Sequence, residues 1–190
     1  MPFVTAHDGA QLHYAVHDYT DPWKKAPTLI LQHGFGRSGR YWFNLIPYLA
    51  RHYKVVCPDL RGLGQSTIQG DPEQAIGVEN YLRDILTVAG HLGLESFHYA
   101  GESLGGMLGM ALTALHHDRV RSLTLMSSSL TLRPEVVKAF AFDHPSWQDA
   151  LRTLGSRGWA DAANKNTRFP PGSDPQLLEW YAAEFGKSEI

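Results

Sequence analysis

The sequence is short of cysteine, of long hydrophobic runs and of excess basic charge. Its 190 residues include a single cysteine, Cys57, so no disulfide can form within the chain. The longest apolar runs, such as residues 28–31, fall far short of the ~20 residues that span a bilayer, which excludes a membrane-spanning protein. Lysine and arginine number 17 against 19 aspartates and glutamates, so nucleic acid is not an expected partner.

The amino-terminal residues show no export signal. The opening stretch, MPFVTAHDGAQ, has neither the basic segment nor the apolar segment of a secretory leader, so we expect a cytoplasmic protein. Hydrophobic residues make up 43% of the chain and charged residues 19%, which provides apolar surface for one sizeable core. This composition excludes a disordered chain.

Short runs of strand-forming residues recur along residues 3–126. Residues 3–5 and 11–18 flank a turn-forming segment, HDGA, and predict a β-hairpin. Further apolar runs rich in β-formers predict buried strands at residues 28–32, 53–57, 96–100 and 122–126. Between them lie helical patterns, the clearest of which forms one apolar stripe on a helix of about fifteen residues: Val78, Leu82, Ile85, Leu86 and Ala89. Strands that alternate with helices predict an α/β fold, with a mostly parallel sheet and helices on both faces.

The pattern changes at about Leu130. Short helices are expected at residues 134–142, 146–154, 159–165 and 174–185, and no further strand is expected. The breaks between them fall at Pro145, Gly155, Gly158 and Pro170-Pro171. The sequence therefore predicts a core over residues 1–129 and a helical segment over residues 130–190.

The most informative stretch of the sequence is FHYAGESLGG, residues 97–106. It is an apolar strand that runs into G-x-S-x-G, and a helical apolar pattern follows. This context predicts a nucleophile elbow, in which Ser103 occupies a strained strand-to-helix turn and Gly101 and Gly105 allow strand and helix to approach closely. The helix directs its positive end to the same place, so the Leu104 N–H can stabilise negative charge on a substrate oxygen.

Two further segments carry a family resemblance. They are LQHGFG at residues 31–36 and PDLRGLGQS at residues 58–66, each after a predicted strand. Together with the elbow, and in this order, they resemble the α/β-hydrolase superfamily over roughly residues 3–129. The resemblance implies that residues 31–36 form an oxyanion loop, with the Phe35 N–H as the second oxyanion donor. It also implies that the helical segment is the start of a cap domain over the site.

The resemblance implies a serine hydrolase that acts through an acyl-enzyme on Ser103. The expected substrate is a small acyl compound, cleaved at an ester, thioester, lactone or activated C–C bond. A serine at this position excludes the branch of the family with an aspartate nucleophile, the epoxide hydrolases and dehalogenases. No cofactor is expected, and because the ten histidines show no metal-ligand spacing, no metal is expected either.

A second motif supports an alternative function. Residues 34–39, GFGRSG, satisfy G-x-G-x-x-G after a strand, and Asp59 follows about twenty residues later, as in a nicotinamide-dinucleotide site of an oxidoreductase. The preceding hairpin argues against this interpretation, as does Pro47, which interrupts the helix that should hold the pyrophosphate.

Several conspicuous residues have both structural and functional interpretations. Leu130 and Trp147 are expected to line the substrate pocket, although Trp147, Trp159 and Trp180 could equally pack short helices together. His33 is expected to hold the oxyanion loop by a hydrogen bond rather than act as a base. Asp59 and Arg61 are expected to fix a turn, and Cys57 to be a small buried hydrophobic residue.

The sequence offers no obvious general base for Ser103. In this family a carboxylate and then a histidine on a late loop follow the serine, but residues 127–129 are all serine. His116 and His117 lie about 20 Å along the helix from Ser103, which leaves only His144, in a place unusual for the family. Two more strand-helix units would need on the order of 50 further residues, so the chain resembles the N-terminal two-thirds of a hydrolase.

Such a truncated sheet has two expected consequences. Its last strand would leave an open edge, so we expect one of two outcomes. Either a second chain completes the sheet, by swapping or by supplying the absent segment, or Ser103 has no imidazole within hydrogen-bond reach. Without a base, the chain as given should be catalytically weak. A non-catalytic protein that binds a ligand or partner through the same cleft is a further alternative.

Overall fold

The computed structural model describes residues 2–188. The chain divides into two compact units, residues 1–129 and residues 130–190, which we call the core unit and the helical unit. Within the described residues, no helix is long and apolar enough to cross a membrane.

The core unit contains a six-stranded sheet. The strands are β1 (Phe3–Thr5), β2 (Gln11–His17), β3 (Thr28–Gln32), β4 (Lys54–Pro58), β5 (Phe97–Glu102) and β6 (Val120–Met126). Their order across the sheet is β1-β2-β4-β3-β5-β6. β1 and β2 form the predicted hairpin, β2 pairs antiparallel with β4, and the remaining pairs are parallel. The predicted α/β class and mostly parallel sheet are confirmed.

Helices occupy the segments between the strands. They are a 3₁₀ helix (Gly39–Asn44), α1 (Ile46–Leu49), α2 (Pro72–Ala75), α3 (Val78–His91) and α4 (Leu104–Leu115). The 14 residues of α3 match the helix predicted from the apolar stripe, and Leu82, Ile85 and Ala89 of that stripe are buried. The apolar stripe was sufficient to predict this helix because the stripe is the face that packs on the rest of the core unit.

Helices cover both faces of the sheet. The side chains of neighbouring strand residues point to opposite faces of the sheet. The contacts of Tyr99 and Ala100 in β5 therefore show what packs on each face. Ala100 belongs to a buried cluster that includes Trp42 of the 3₁₀ helix. Tyr99 lies against α4, where its hydroxyl donates a hydrogen bond to the Gly105 carbonyl oxygen at 2.8 Å.

Strand β6 lies at the edge of the sheet. Among the described strands it pairs only with β5. Its residue Leu125 is 42% exposed, whereas strands β3 and β4 are almost entirely buried. An exposed leucine therefore lies on a strand whose outer backbone groups have no partner strand among residues 2–188.

The helical unit contains no strand within its described residues. Its elements are α5 (Pro134–Ala141), α6 (Trp147–Ala163), a π-helical turn (Asn164–Arg168) and α7 (Pro175–Phe185). The expected break at Gly155 is confirmed, because its φ of 66° and ψ of 170° are not helical and α6 is therefore two helical stretches that meet there. The break expected at Gly158 is absent, so the second stretch begins before residue 159. Gly158 lies inside α6. Glycine weakens a helix but keeps its backbone hydrogen bonds. The adjacent Trp159 is fully buried, and its packing stabilises that turn of the helix.

Candidate active site

Ser103 alone connects β5 to α4. The strand ends at Glu102 and the helix begins at Leu104. The backbone angles of Ser103, φ 52° and ψ −118°, lie in a region that residues with a side chain seldom adopt. Strain of this kind persists only where surrounding contacts hold it, and it is frequent at functional sites. The structure thus contains the strained strand-to-helix turn that the motif predicts.

Gly101 and Gly105 allow the close approach of strand and helix at this turn. A Cβ atom on Gly101 would lie 2.6 Å from the Gly106 nitrogen, and one on Gly105 would lie 2.7 Å from the His33 carbonyl oxygen. Each neighbour is a backbone atom, which cannot move aside as the end of a flexible side chain can. The two glycines of G-x-S-x-G are therefore a steric requirement of the turn.

The end of β6 holds the Ser103 backbone. The Ser103 N–H donates to the Met126 carbonyl oxygen at 3.0 Å. The Ser128 hydroxyl lies 3.0 Å from both the Ser103 and the Met126 carbonyl oxygens and shares its proton between them. Sequence reasoning missed Ser128, which it noted only as part of a run without a carboxylate. The available signal was its position just beyond the strand that pairs with β5.

The loop after β3 packs on the Ser103 turn. β3 and β5 are parallel, with Gln32 opposite Gly101, so both strands end at the same edge of the sheet. A Cβ atom on Gly34 would lie 2.9 Å from the Ser103 Cβ. Phe35 directly follows Gly34, and Leu104 directly follows Ser103. The two expected oxyanion donors therefore both lie on segments that adjoin Ser103.

His33 holds this loop in place. Its Nε2 accepts a hydrogen bond from the Leu60 N–H at 2.9 Å, so the neutral ring carries its proton on Nδ1 and donates it to the Gly34 carbonyl oxygen at 2.8 Å. The side chain is fully buried, and this burial lowers the pKa of His33 below its ordinary value. Both ring nitrogens are engaged, which fits the positioning role expected from the sequence.

A buried carboxylate organises the turn after β4. Asp59 is 5% exposed and hydrogen-bonds to the His13 ring at 2.8 Å, the Gly39 N–H at 2.6 Å and the Gln65 N–H at 2.9 Å. Burial alone would raise the pKa of Asp59, but these hydrogen bonds, that of the His13 ring above all, hold it below its usual value. Asp59 therefore fixes the turn, as expected.

Arg61 anchors the same turn to its surroundings. Its guanidinium is fully buried and donates to both carboxylate oxygens of Asp84 on α3, at 2.9 and 2.7 Å. It also pairs with Asp8 in the hairpin turn. A bidentate ion pair of this kind fixes the orientation of the two side chains as well as their distance. This accounts for the structural role expected of Arg61.

The geometry after β3 argues against the dinucleotide alternative. A six-residue 3₁₀ helix and the four-residue α1 follow G-x-G-x-x-G, so no long helix presents its N-terminus to a pyrophosphate. Asp59, which that fingerprint would assign to a ribose, is enclosed by protein donors.

Within the described part of the core unit, residues 2–129, no histidine hydrogen-bonds to the Ser103 hydroxyl. His13 and His33 are engaged as described, and the His98 ring bonds to the Ser122 hydroxyl at 2.8 Å. The core unit thus brings the strained Ser103 turn and the loop after β3 together, and none of its described histidines is a hydrogen-bond partner of the Ser103 hydroxyl.

The two residues expected to line the substrate pocket lie in the helical unit. Leu130 is 79% exposed. Trp147 stacks on Phe140, with ring centroids 4.9 Å apart, and lies parallel to Trp159 at 5.6 Å. The Trp159 indole N–H donates to the Phe140 carbonyl oxygen at 3.0 Å. These aromatic residues pack α5 against α6, and the pocket role of Leu130 and Trp147 stays a prediction.

Comparison with known proteins identifies the family. The alpha/beta hydrolase fold family matches residues 27–169, which is well over half of the chain. The matched segment includes both the loop after β3 and the Ser103 turn. The chain therefore belongs to the α/β-hydrolase family, as the sequence motifs imply.

Each match spans a larger fraction of this chain than of the relative's own length. The 3-hydroxybutyrate-oligomer hydrolase of Cupriavidus necator is 34% identical over 139 residues, which are 73% of this chain and 47% of that protein. The karrikin insensitive 2 receptor IA of Petunia hybrida is 34% identical over 103 residues, 54% of this chain and 38% of that protein. The enol-lactonase structure from Burkholderia xenovorans LB400 matches with a TM-score of 0.81 and 26% identity, covering 98% of this chain and 68% of that one. The chain thus spans about half the length of the curated relatives it matches.

Proposed function

We propose that the chain carries the nucleophile of a serine hydrolase, with Ser103 attacking small acyl substrates. One observation carries the proposal: Ser103 occupies a strained turn, with φ 52°, and the loop after β3 is packed on it. This arrangement supports the proposal because acyl transfer needs a raised nucleophile and backbone N–H donors at the same place.

The proposed reaction proceeds through an acyl-enzyme. As the Ser103 Oγ forms a bond to the acyl carbon, its proton passes to a general base, and the carbonyl oxygen becomes an oxyanion. No described histidine of the core unit is that base. The N–H groups of Leu104 and Phe35 stabilise that charge, together with the positive end of α4. Collapse expels the leaving group, which takes up the proton, and water then releases the acid from Ser103 by the same two steps.

An ester or lactone is the substrate bond that we favour among esters, thioesters, lactones and activated C–C bonds. Support comes from the names of two relatives, a 3-hydroxybutyrate-oligomer hydrolase and an enol-lactonase. Cleavage of an ester or a lactone uses the same attack on a carbonyl carbon, so one site serves both.

Labelling with a fluorophosphonate tests the nucleophile. The reagent should modify Ser103 slowly, because the described core residues provide no histidine to activate it. Peptide mass spectrometry locates the label, and Ser103→Ala should not carry it. Ser96→Ala is the matched control, because Ser96 lies at the opposite, amino-terminal end of β5, and it should label like the unmodified protein. Label on another residue, or equal labelling of Ser103→Ala, would contradict the proposal.

We further propose that a second chain pairs with the outer edge of β6 and completes the sheet. Support comes from the edge position of β6 and the exposed Leu125. Sedimentation velocity should show association that Leu125→Lys abolishes. Tyr48→Lys, at a 75% exposed site on α1, should leave association unchanged. A monomer at all concentrations, or association insensitive to Leu125→Lys, would contradict this pairing.

A non-catalytic function is the second candidate. It is favoured by the relative that is named as a receptor and by the absence of a histidine partner for Ser103 within residues 2–129. In that case the chain binds a small ligand without being acylated. Saturable binding of a lactone in calorimetry, equal in Ser103→Ala, with no turnover and no fluorophosphonate labelling, would favour this function.

A further inference from the structure

Glu102 bonds to the loop after β3 through its side chain. Its Oε2 accepts a hydrogen bond from the Gly34 N–H at 3.1 Å, although 68 positions separate the two residues in the chain. Glu102 is the last residue of β5 and directly precedes Ser103. Its side chain is 18% exposed, so the hydrogen bond is largely shielded from water.

The carbonyl group of Gly34 is held as well. The His33 ring donates to it at 2.8 Å from the other side of the residue. This carbonyl and the Phe35 N–H belong to one planar trans peptide and point in opposite directions. Fixing both the N–H and the C=O of Gly34 therefore fixes the direction of the Phe35 N–H.

Arg37 offsets the charge that this arrangement places near Ser103. A carboxylate beside an oxyanion site opposes the negative charge that develops on the substrate. The Arg37 Nε lies 3.7 Å from the Glu102 Oε2, with the two side chains 30% and 18% exposed. Glu102 thus keeps a strong acceptor for Gly34 while a cation compensates its charge.

We propose that Glu102 is a positioning residue of the oxyanion site: its carboxylate, with His33, orients the Phe35 N–H toward the oxygen of the substrate. This proposal rests on the function proposed for Ser103, but its structural part can be tested independently. The residue acts through Gly34 and Phe35, and it touches neither the nucleophile's proton nor the acyl carbon.

Amide hydrogen exchange tests the contact without requiring activity. Glu102→Gln keeps an acceptor oxygen at the same reach, Glu102→Ala removes it, and Glu79→Ala removes an exposed carboxylate on α3 as the control. The Gly34 N–H should exchange slowly in the unmodified protein, Glu102→Gln and Glu79→Ala, and on the order of tenfold faster in Glu102→Ala. The buried Ile30 N–H of β3 should be unchanged in all of them. Equal protection in Glu102→Ala, or equal loss in Glu102→Gln, overturns the proposal.

Labelling of Ser103 tests the consequence for the oxyanion site. Fluorophosphonate should react with Glu102→Gln at nearly the unmodified rate and with Glu102→Ala about ten- to a hundredfold more slowly. An undiminished rate in Glu102→Ala overturns the positioning role. If Ser103 of the unmodified protein is not labelled at all, the proposed function fails, while the exchange of Gly34 still decides the contact. Should Glu102→Ala not fold, Glu102→Ser, whose side chain is too short to reach Gly34, replaces it.

Discussion

The Ser128 hydroxyl donates a hydrogen bond to the Ser103 carbonyl oxygen at 3.0 Å. This contact joins the end of β6 to the one residue between β5 and α4. Because Ser103 holds a backbone conformation that is unfavourable by about 1–3 kcal/mol, the turn depends on such contacts for its shape. The edge strand therefore supports the Ser103 turn as well as the sheet.

Removal of the Ser128 hydroxyl should loosen this turn. We expect Ser128→Ala to lower the free energy of unfolding by about 1 kcal/mol and to slow fluorophosphonate labelling of Ser103. Urea denaturation and labelling rates measure the two effects. Thr124→Ala, at an exposed position of β6, is the control and should change neither. If Ser128→Ala behaves like Thr124→Ala, the hydroxyl does not support the turn.

Methyl groups at two helical glycines should have opposite effects. Gly105→Ala would place a Cβ 2.7 Å from the His33 carbonyl oxygen, so we expect a loss of about 1–3 kcal/mol in the free energy of unfolding. Gly90→Ala near the end of α3 meets no atom within 4 Å and should gain about 0.4–1 kcal/mol, because alanine restricts the unfolded chain. Urea denaturation checks both. A stable Gly105→Ala would show that strand and helix are not in the close contact described.

The buried His33 should make stability depend on pH. Burial lowers its pKa in the folded protein, so below about pH 6.5 the unfolded chain takes up a proton that the folded chain does not. The free energy of unfolding should then fall by up to about 1.4 kcal/mol per pH unit as the pH drops. His33→Gln should be less stable at pH 7, but its free energy of unfolding should lack this contribution to the pH dependence. Urea denaturation between about pH 7.5 and 5.5 measures it, and an unchanged slope in His33→Gln would contradict the buried neutral ring.

Asp59 should contribute stability that acid removes. Asp59→Asn leaves an amide that cannot satisfy three donors, so we expect a loss of about 2–3 kcal/mol at pH 7. The pKa of Asp59 is lowered in the folded protein, so its contribution is present above about pH 4 and is lost as the pH falls through the folded pKa. The stability curves of the two proteins should therefore converge in acid. Asp118→Asn, at an exposed site, is the control and should stay within about 0.5 kcal/mol of the unmodified protein.

Local sequence patterns were sufficient for the elements and for the turn at Ser103. The strand of residues 97–102, the glycines around Ser103 and the apolar stripe of α3 each act over a few residues, so their structure follows from nearby sequence. The break at Gly155 was expected, but the continuity of the second helical stretch through Gly158, where the fully buried Trp159 packs, could not be derived from the local pattern.

Contacts between distant residues could not be derived from the sequence. Glu102 meets Gly34 and Ser128 meets Ser103 only because parallel strands bring their carboxyl ends to one edge of the sheet. The pattern predicted that edge, but not which side chains would bond across it. His33 was assigned a holding role, yet its partners, Gly34 and Leu60, required the structure.

A crystal structure of the chain after reaction with a fluorophosphonate tests the central claim most directly. We predict a bond between phosphorus and the Ser103 Oγ, with the phosphoryl oxygen about 2.7–3.1 Å from both the Leu104 and the Phe35 nitrogens. An adduct on a different residue, or a phosphoryl oxygen directed away from these two N–H groups, would contradict the account.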